Sequence, residues 1–134
     1  MEANTLRIGN YLQYKNTHDI AIVELIHKKH FDCRDIYGIF TPNGNYEYIP
    51  ISEDFLIKLG FIECEGKFGT YYKCSKLDGF RIWLHEDENV TLWQVGRKEY
   101  DNDTTTFISA DLKFIHRLQN LYNILTGEEL TIKE

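Results

Sequence analysis

Through the first fifty residues, apolar positions come in short bursts at strand spacing. Between 19 and 27, Ile20, Ile22 and Ile26 fall on one side of an extended chain, and Ala21, Val23 and Leu25 on the other. Two apolar faces predict a central strand. A strand is also expected over 6–14, where Gly9 permits a bend or bulge. A third is expected over 34–40. Thr41-Pro42-Asn43-Gly44-Asn45 then reads as a turn, because Pro fixes φ and Asn-Gly accepts positive φ. Residues 46–51 return as a fourth strand, and Pro50 marks an edge strand or its end. Short strands joined by tight turns predict a small, strongly bent, SH3-like sheet.

At Ser52 the spacing changes. Ser52 is a candidate N-cap, Glu53 and Asp54 suit the positive end of a helix, and Phe55, Leu56 and Leu59 supply one apolar side. Gly60 can close this helix in the left-handed conformation. About two turns cannot stand alone, so the helix has to pack on a sheet. Residues 67–74 then predict a strand, and Leu77-Asp78-Gly79 a hairpin turn. Phe80, Ile82 and Leu84 alternate with Arg81, Trp83 and His85. Val90, Leu92 and Gln94 alternate with Thr91, Trp93 and Val95. That is an antiparallel meander, with Glu86 to Asn89 at its tip, a polar acidic loop over 96–103 and a final strand over 104–108. Ser109 caps a predicted helix over 110–126, whose stripe of Leu112, Ile115, Leu118, Tyr122 and Leu125 faces the meander. Gly127 is its expected terminator, and His116 falls on its polar side.

These elements make an α+β chain: a small N-terminal SH3-like bent β-sheet, a short helix, and a C-terminal antiparallel β-meander packed against one long C-terminal helix. A single compact domain over 1–134 is expected, with a barrel-like sub-module over 5–51 and a second over 52–134. The 134 residues are too few for a two-domain enzyme. Aromatics at 14% supply enough buried surface to offset ordering entropy.

The net charge is -6, with 6 Lys+Arg against 8 Asp+Glu in the first sixty residues and 9 against 13 in the rest. Such a chain repels phosphate backbones at long range, which disfavours generic nucleic-acid binding. Acidic loops can serve solubility or face a basic partner. Cys33, Cys64 and Cys74 are odd in number and form no CxxC pair, so neither a disulfide framework nor a zinc ribbon is expected. Residues 1–10 lack a basic segment followed by an apolar run, and no stretch reaches about 18 apolar residues. A cytoplasmic location without membrane contact is therefore expected, and the sequons at Asn89 and Asn102 carry no meaning there.

Candidate chemistry is sparse. His27-Lys28-Lys29-His30 ends a strand, where its two His point to opposite sides and make a poor metal site. Cys33 among Asp32, Arg34 and Asp35 has no evident base and reads as a buried thiol. His85 beside Glu86, Asp87 and Glu88 pairs a base with carboxylates, but at a wet hairpin tip. Asp101 and Asp103 with Glu99 lack the ligand pattern of an EF-hand. No phosphate-binding glycine loop, nucleophile elbow or zinc-protease motif is present. The chain reads as non-enzymatic, without metal or cofactor. Arg81, Trp83 and His85 on one strand, with Trp93 on its neighbour, have the composition of an interface hot spot if their face is uncovered. The same residues, with Lys28 and Lys29, could stack single-stranded RNA.

Three stretches, Leu6-Arg7-Ile8-Gly9-Asn10-Tyr11, Pro50-Ile51-Ser52 to Leu59-Gly60-Phe61, and Leu118-Gln119-Asn120-Leu121-Tyr122 with Leu125-Thr126-Gly127-Glu128-Glu129-Leu130, resemble in their order a group of small proteins encoded by phages and prophages of Bacteroidota. The resemblance spans nearly the whole chain and brings no catalytic residues with it. It implies a phage accessory protein that binds a host protein or ribonucleoprotein, such as an RNA-guided CRISPR nuclease or its guide RNA, which would make it an anti-CRISPR inhibitor. The acidic residues Glu86, Asp87, Glu88, Asp101 and Asp103 and the Trp83/Trp93 face are the expected contacts. The alternative is a small RNA-binding module.

Overall fold

The computed structural model describes residues 5–26, 31–41, 45–66, 69–77, 80–87, 90–98, 105–109 and 112–133, and for 41, 66, 69, 77, 84–87, 90–98 and 105–109 the backbone alone. Among the described residues are ten strands, in two antiparallel sheets, and two α-helices, so the chain is α+β. It divides into two compact units. The first comprises Met1–Pro50 and Phe114–Leu121, the second Ile51–Lys113 and Tyr122–Glu134. The expected sub-modules met between 51 and 52; the structure moves a piece of the last helix to the first unit. Residues 42–44 of the turn expected over 41–45, the His27 to His30 run, and Asp78-Gly79 of the hairpin turn expected over 77–79 lie outside the described residues.

The first unit holds β1 (Tyr11–Tyr14), β2 (Ile20–Ile26), β3 (Phe31–Asp35), β4 (Phe40–Thr41) and β5 (Tyr46–Tyr48), in the order β4-β3-β2-β1-β5. The two-sided apolar strand β2 is central, and the strand that runs into Pro50 lies at an edge. Register pairs Leu12 with both Ala21 and Tyr48, which puts the three on one face. Leu6, Leu12, Ala21, Val23, Cys33 and Tyr46 make the core there. The single strand expected over 34–40 is instead two. β3 stops at Asp35, because its Oδ1 accepts from the Tyr37 and Ile39 amides, both at 2.9 Å. Gly38, at φ +85°, then lets Phe40 fold back against Arg34.

The second unit begins with α1 (Glu53–Lys58). Ser52 caps it by accepting from the Phe55 amide at 3.2 Å. Its end is closed twice over: the Gly60 amide reaches the Ile57 carbonyl and the Phe61 amide the Leu56 carbonyl. The meander is β6 (Ile62–Gly66), β7 (Gly69–Lys73), β8 (Phe80–Asp87), β9 (Val90–Lys98) and β10 (Thr105–Ser109), in the order β10-β9-β8-β7-β6. Strand β6 was not expected. Its Ile62-Glu63-Cys64-Glu65-Gly66 run has too few apolar residues to signal a strand, and its pairing with β7 supplies the order.

The last helix, α2, runs Ile115–Thr126 and is shorter than the 110–126 expected. The pattern was right for a helix, but Lys113 sits at φ +44° and residues 113–115 are spent on a bridge. Pro50 pairs with Phe114, the Ile51 amide donates to the Lys113 carbonyl, and the Ile115 amide donates to the Ile49 carbonyl. An amide bonded to Ile49 cannot also close a preceding helical turn. The helix is divided between the units, with residues up to Leu121 grouped with the first sheet and Tyr122 onward with the unit that holds the meander. Gly127, at φ +74°, ends α2 as expected. No helix among the described residues is long and apolar enough to cross a membrane.

Gly60 gives a direct check. At φ +93° a side chain is strained, and an added Cβ would meet Lys133 Cγ at 3.0 Å. Gly60→Ala is expected to cost about 1–3 kcal/mol in urea unfolding. Adding Lys133→Ala should recover only the steric share.

Candidate functional site

Of the residues singled out in the sequence, Arg81 and Trp83 are brought together on β8, but around an aromatic of their own chain. The Arg81 guanidinium carbon lies 4.2 Å from the Tyr71 ring centroid, and the Tyr71 and Trp83 rings are 4.9 Å apart. Trp83 is only 2% exposed. The paired tryptophan face does not form, for a reason of register. Trp83 stands opposite Gln94, whereas Trp93 stands opposite Leu84. One step of register exchanges the faces of a strand, so positions 83 and 93 fall on opposite sides. His85, Glu86 and Asp87 lie on β8, opposite Leu92, Thr91 and Val90. Glu88, Asp101 and Asp103 lie outside the described residues, as do Glu99 and Asn102.

The surface that does stand out is one that strand spacing concealed. The turn after β3 carries Ile36, Tyr37 and Ile39, exposed by 57%, 84% and 63%, with Phe40 of β4 at 45%. Four large apolar side chains in five residues are a concentrated apolar patch on a small chain. They are held still. The Asp35 carboxylate takes two amides of the turn, the Gly38 amide donates to the Asp35 carbonyl at 3.1 Å, and the Asp35 amide donates to the Ile39 carbonyl at 2.9 Å. A preorganised apolar turn loses little conformational entropy on binding. The signal was present in the sequence as Asp35-x-x-Gly38, an aspartate that folds back on its own backbone before a residue free to take positive φ.

The buried polar groups are structural. Gln119 Oε1 accepts from the Tyr11 amide at 2.7 Å, and its Nε2 donates to the Gly9 carbonyl at 3.2 Å. Asn10 Nδ2 donates to Asn120 Oδ1 at 2.9 Å, and Arg7 Nε donates to the same oxygen at 3.2 Å. Gln119 and Asn10 are fully buried. Cys33 is also fully buried, and desolvation lifts its thiol to about 12, so it is no nucleophile. Tyr46, which shares a hydrogen bond with that thiol, is raised too, first by burial.

His116 corrects an expectation, for it is not on a solvated helix side but 1% exposed. Its ring stacks on Tyr48 at 4.6 Å and lies 5.9 Å from Phe114. Thr5 Oγ1 meets Nε2 at 3.3 Å, and Nδ1 has no partner among the described residues. Desolvation, then the Arg117 charge, lowers its pKa from 6.5 to about 4. Its stabilising contribution is therefore complete above about pH 6.5 and lost as pH falls through 4. Stacking an imidazolium on an aromatic face would return about 2 kcal/mol. A buried charge without an ion partner costs several, so desolvation decides the direction.

Among the described residues no group of three or more His, Cys, Asp or Glu could hold a metal ion. No protein-family model, curated protein or solved structure matches the chain.

Gln119 is the residue whose loss the fold should feel most. Gln119→Ala orphans the Tyr11 amide and the Gly9 carbonyl together, and should cost about 2–4 kcal/mol in chemical denaturation. Asn123→Ala, one turn on and bonded to the exposed Glu128 carbonyl, is the comparison, with an expected loss below about 1 kcal/mol.

Proposed function

We propose that this chain acts by binding a protein rather than by catalysis, and that the turn over 36–40 is its principal contact. The observation that carries the reading is the exposure of Ile36, Tyr37, Ile39 and Phe40 on a turn fixed by Asp35. Aromatic and aliphatic anchors of this kind dominate interface energetics when a partner's pocket desolvates them. The acidic balance of the chain favours a partner with a basic rim. On the resemblance to phage and prophage proteins, that partner is a host protein or ribonucleoprotein met in the host cytoplasm, an RNA-guided nuclease being the specific candidate. The first sheet is read as SH3-like. What supports this is its strand order, in which four strands follow one another and the fifth returns beside the first. RNA binding through Arg81 and Trp83 is the weaker reading, because stacking needs an open aromatic face and Trp83 is buried.

Affinity capture from nuclease-treated host lysate, with partners identified by mass spectrometry, tests the proposal. Tyr37→Asp and Ile39→Asp should each reduce recovery of one protein partner at least tenfold while leaving the thermal midpoint within about 2 °C. Recovery undiminished in both variants would sink the turn as the contact. Loss on Arg81→Ala alone would move the contact to the second sheet.

A further inference from the structure

We infer that His116 is an acid-operated latch that holds the 114–121 segment on the N-terminal sheet. Hydrogen bonds made by Ile115, Gln119 and Asn120 fasten the segment whatever the pH, and His116 is its titratable member. Its ring packs against both Tyr48 on β5 and Phe114 of its own segment, whose rings also touch each other at 5.0 Å, and among the described residues its hydrogen bond is to Thr5. In that place only the neutral ring fits. Protonation makes donors of both ring nitrogens, and Nδ1 has no acceptor among the described residues.

The surrounding charges do not rescue the cation. From its own helix the Arg117 guanidinium opposes it. From the N-terminal segment, Arg7 is a second cation, already bonded to Asn120 and the Gln119 carbonyl. On β5 the nearest carboxylate along the strand is Glu47, engaged with Gln13 and His18. A proton therefore pulls His116 towards water. The residues carried with it include Ile115 and Leu118, both fully buried, and Gln119, which closes the backbone of residues 9–11. Acid thus exposes apolar core surface in the first unit before it affects the second.

Native-state hydrogen exchange, corrected for intrinsic rates, tests the latch at pH 7.5 and pH 4.5. In the unaltered protein, amides of residues 115–121 should lose at least tenfold more protection on acidification than amides of β8. In His116→Phe, which keeps a ring against Tyr48 and Phe114, the two sets should respond alike. Equal losses in both units of the unaltered protein, or the same excess loss in His116→Phe, would overturn it. An NMR titration of the His116 ring in the unaltered protein covers the case of a variant that fails to fold. The ring should stay neutral through pH 6 and gain its proton together with the loss of protection. A ring that titrates near 6.5 with protection intact overturns the latch as well.

Discussion

One glutamine side chain closes a gap that the backbone of the first unit leaves open. Where β1 begins, the chain bends through Gly9 at φ +94°, and the Gly9 carbonyl and Tyr11 amide turn away from the ladder. Gln119 satisfies both, one with each end of its amide. Buried amides and carbonyls without partners cost free energy comparable to a lost hydrogen bond, so this contact cannot be exchanged for an apolar one. Asn10, Asn120 and Arg7 extend it. The consequence is topological. The first two turns of α2 belong with the N-terminal sheet, although more than sixty residues of the second unit intervene in sequence.

Trp83, Tyr71 and Arg81, whose composition suits an interface, are used on one another. The densest run of exposed apolar residues among those described is instead the turn over 36–40, where binding residues can sit on a rigid scaffold without a stability penalty. His116 shows the opposite arrangement. A titratable ring is buried where only its neutral form is tolerated, so the fastening of the first unit depends on proton activity.

Much of the architecture was legible in single stretches. The centrality of β2, the capping of α1 by Ser52 and its closure by Gly60 follow from local rules, because a cap or a two-sided apolar strand needs only its neighbours in sequence. The start of α2 was not legible. Helical spacing continues upstream through Leu112, and it is overridden by a bridge to residues 49–51 that no local pattern announces. The turn after Asp35 was missed because alternation over 34–40 looks like a strand whether or not the chain reverses at Gly38. Strand β6 was missed because two glutamates on an edge leave little apolar signal.

The sequence by itself determined the class of the chain, the Ser52 cap, the glycine terminators Gly60 and Gly127, and the absence of familiar catalytic motifs, whereas Ser109, expected as a second cap, ends β10. Each of these depends on residues a few positions apart. Only the tertiary structure decided which faces the tryptophans occupy, where His116 and Gln119 are buried, and which apolar residues remain outside. Those outcomes depend on strand register and on contacts across a hundred residues. One step of register reverses every side chain in a strand, and burial is a property of what packs on a residue rather than of the residue itself.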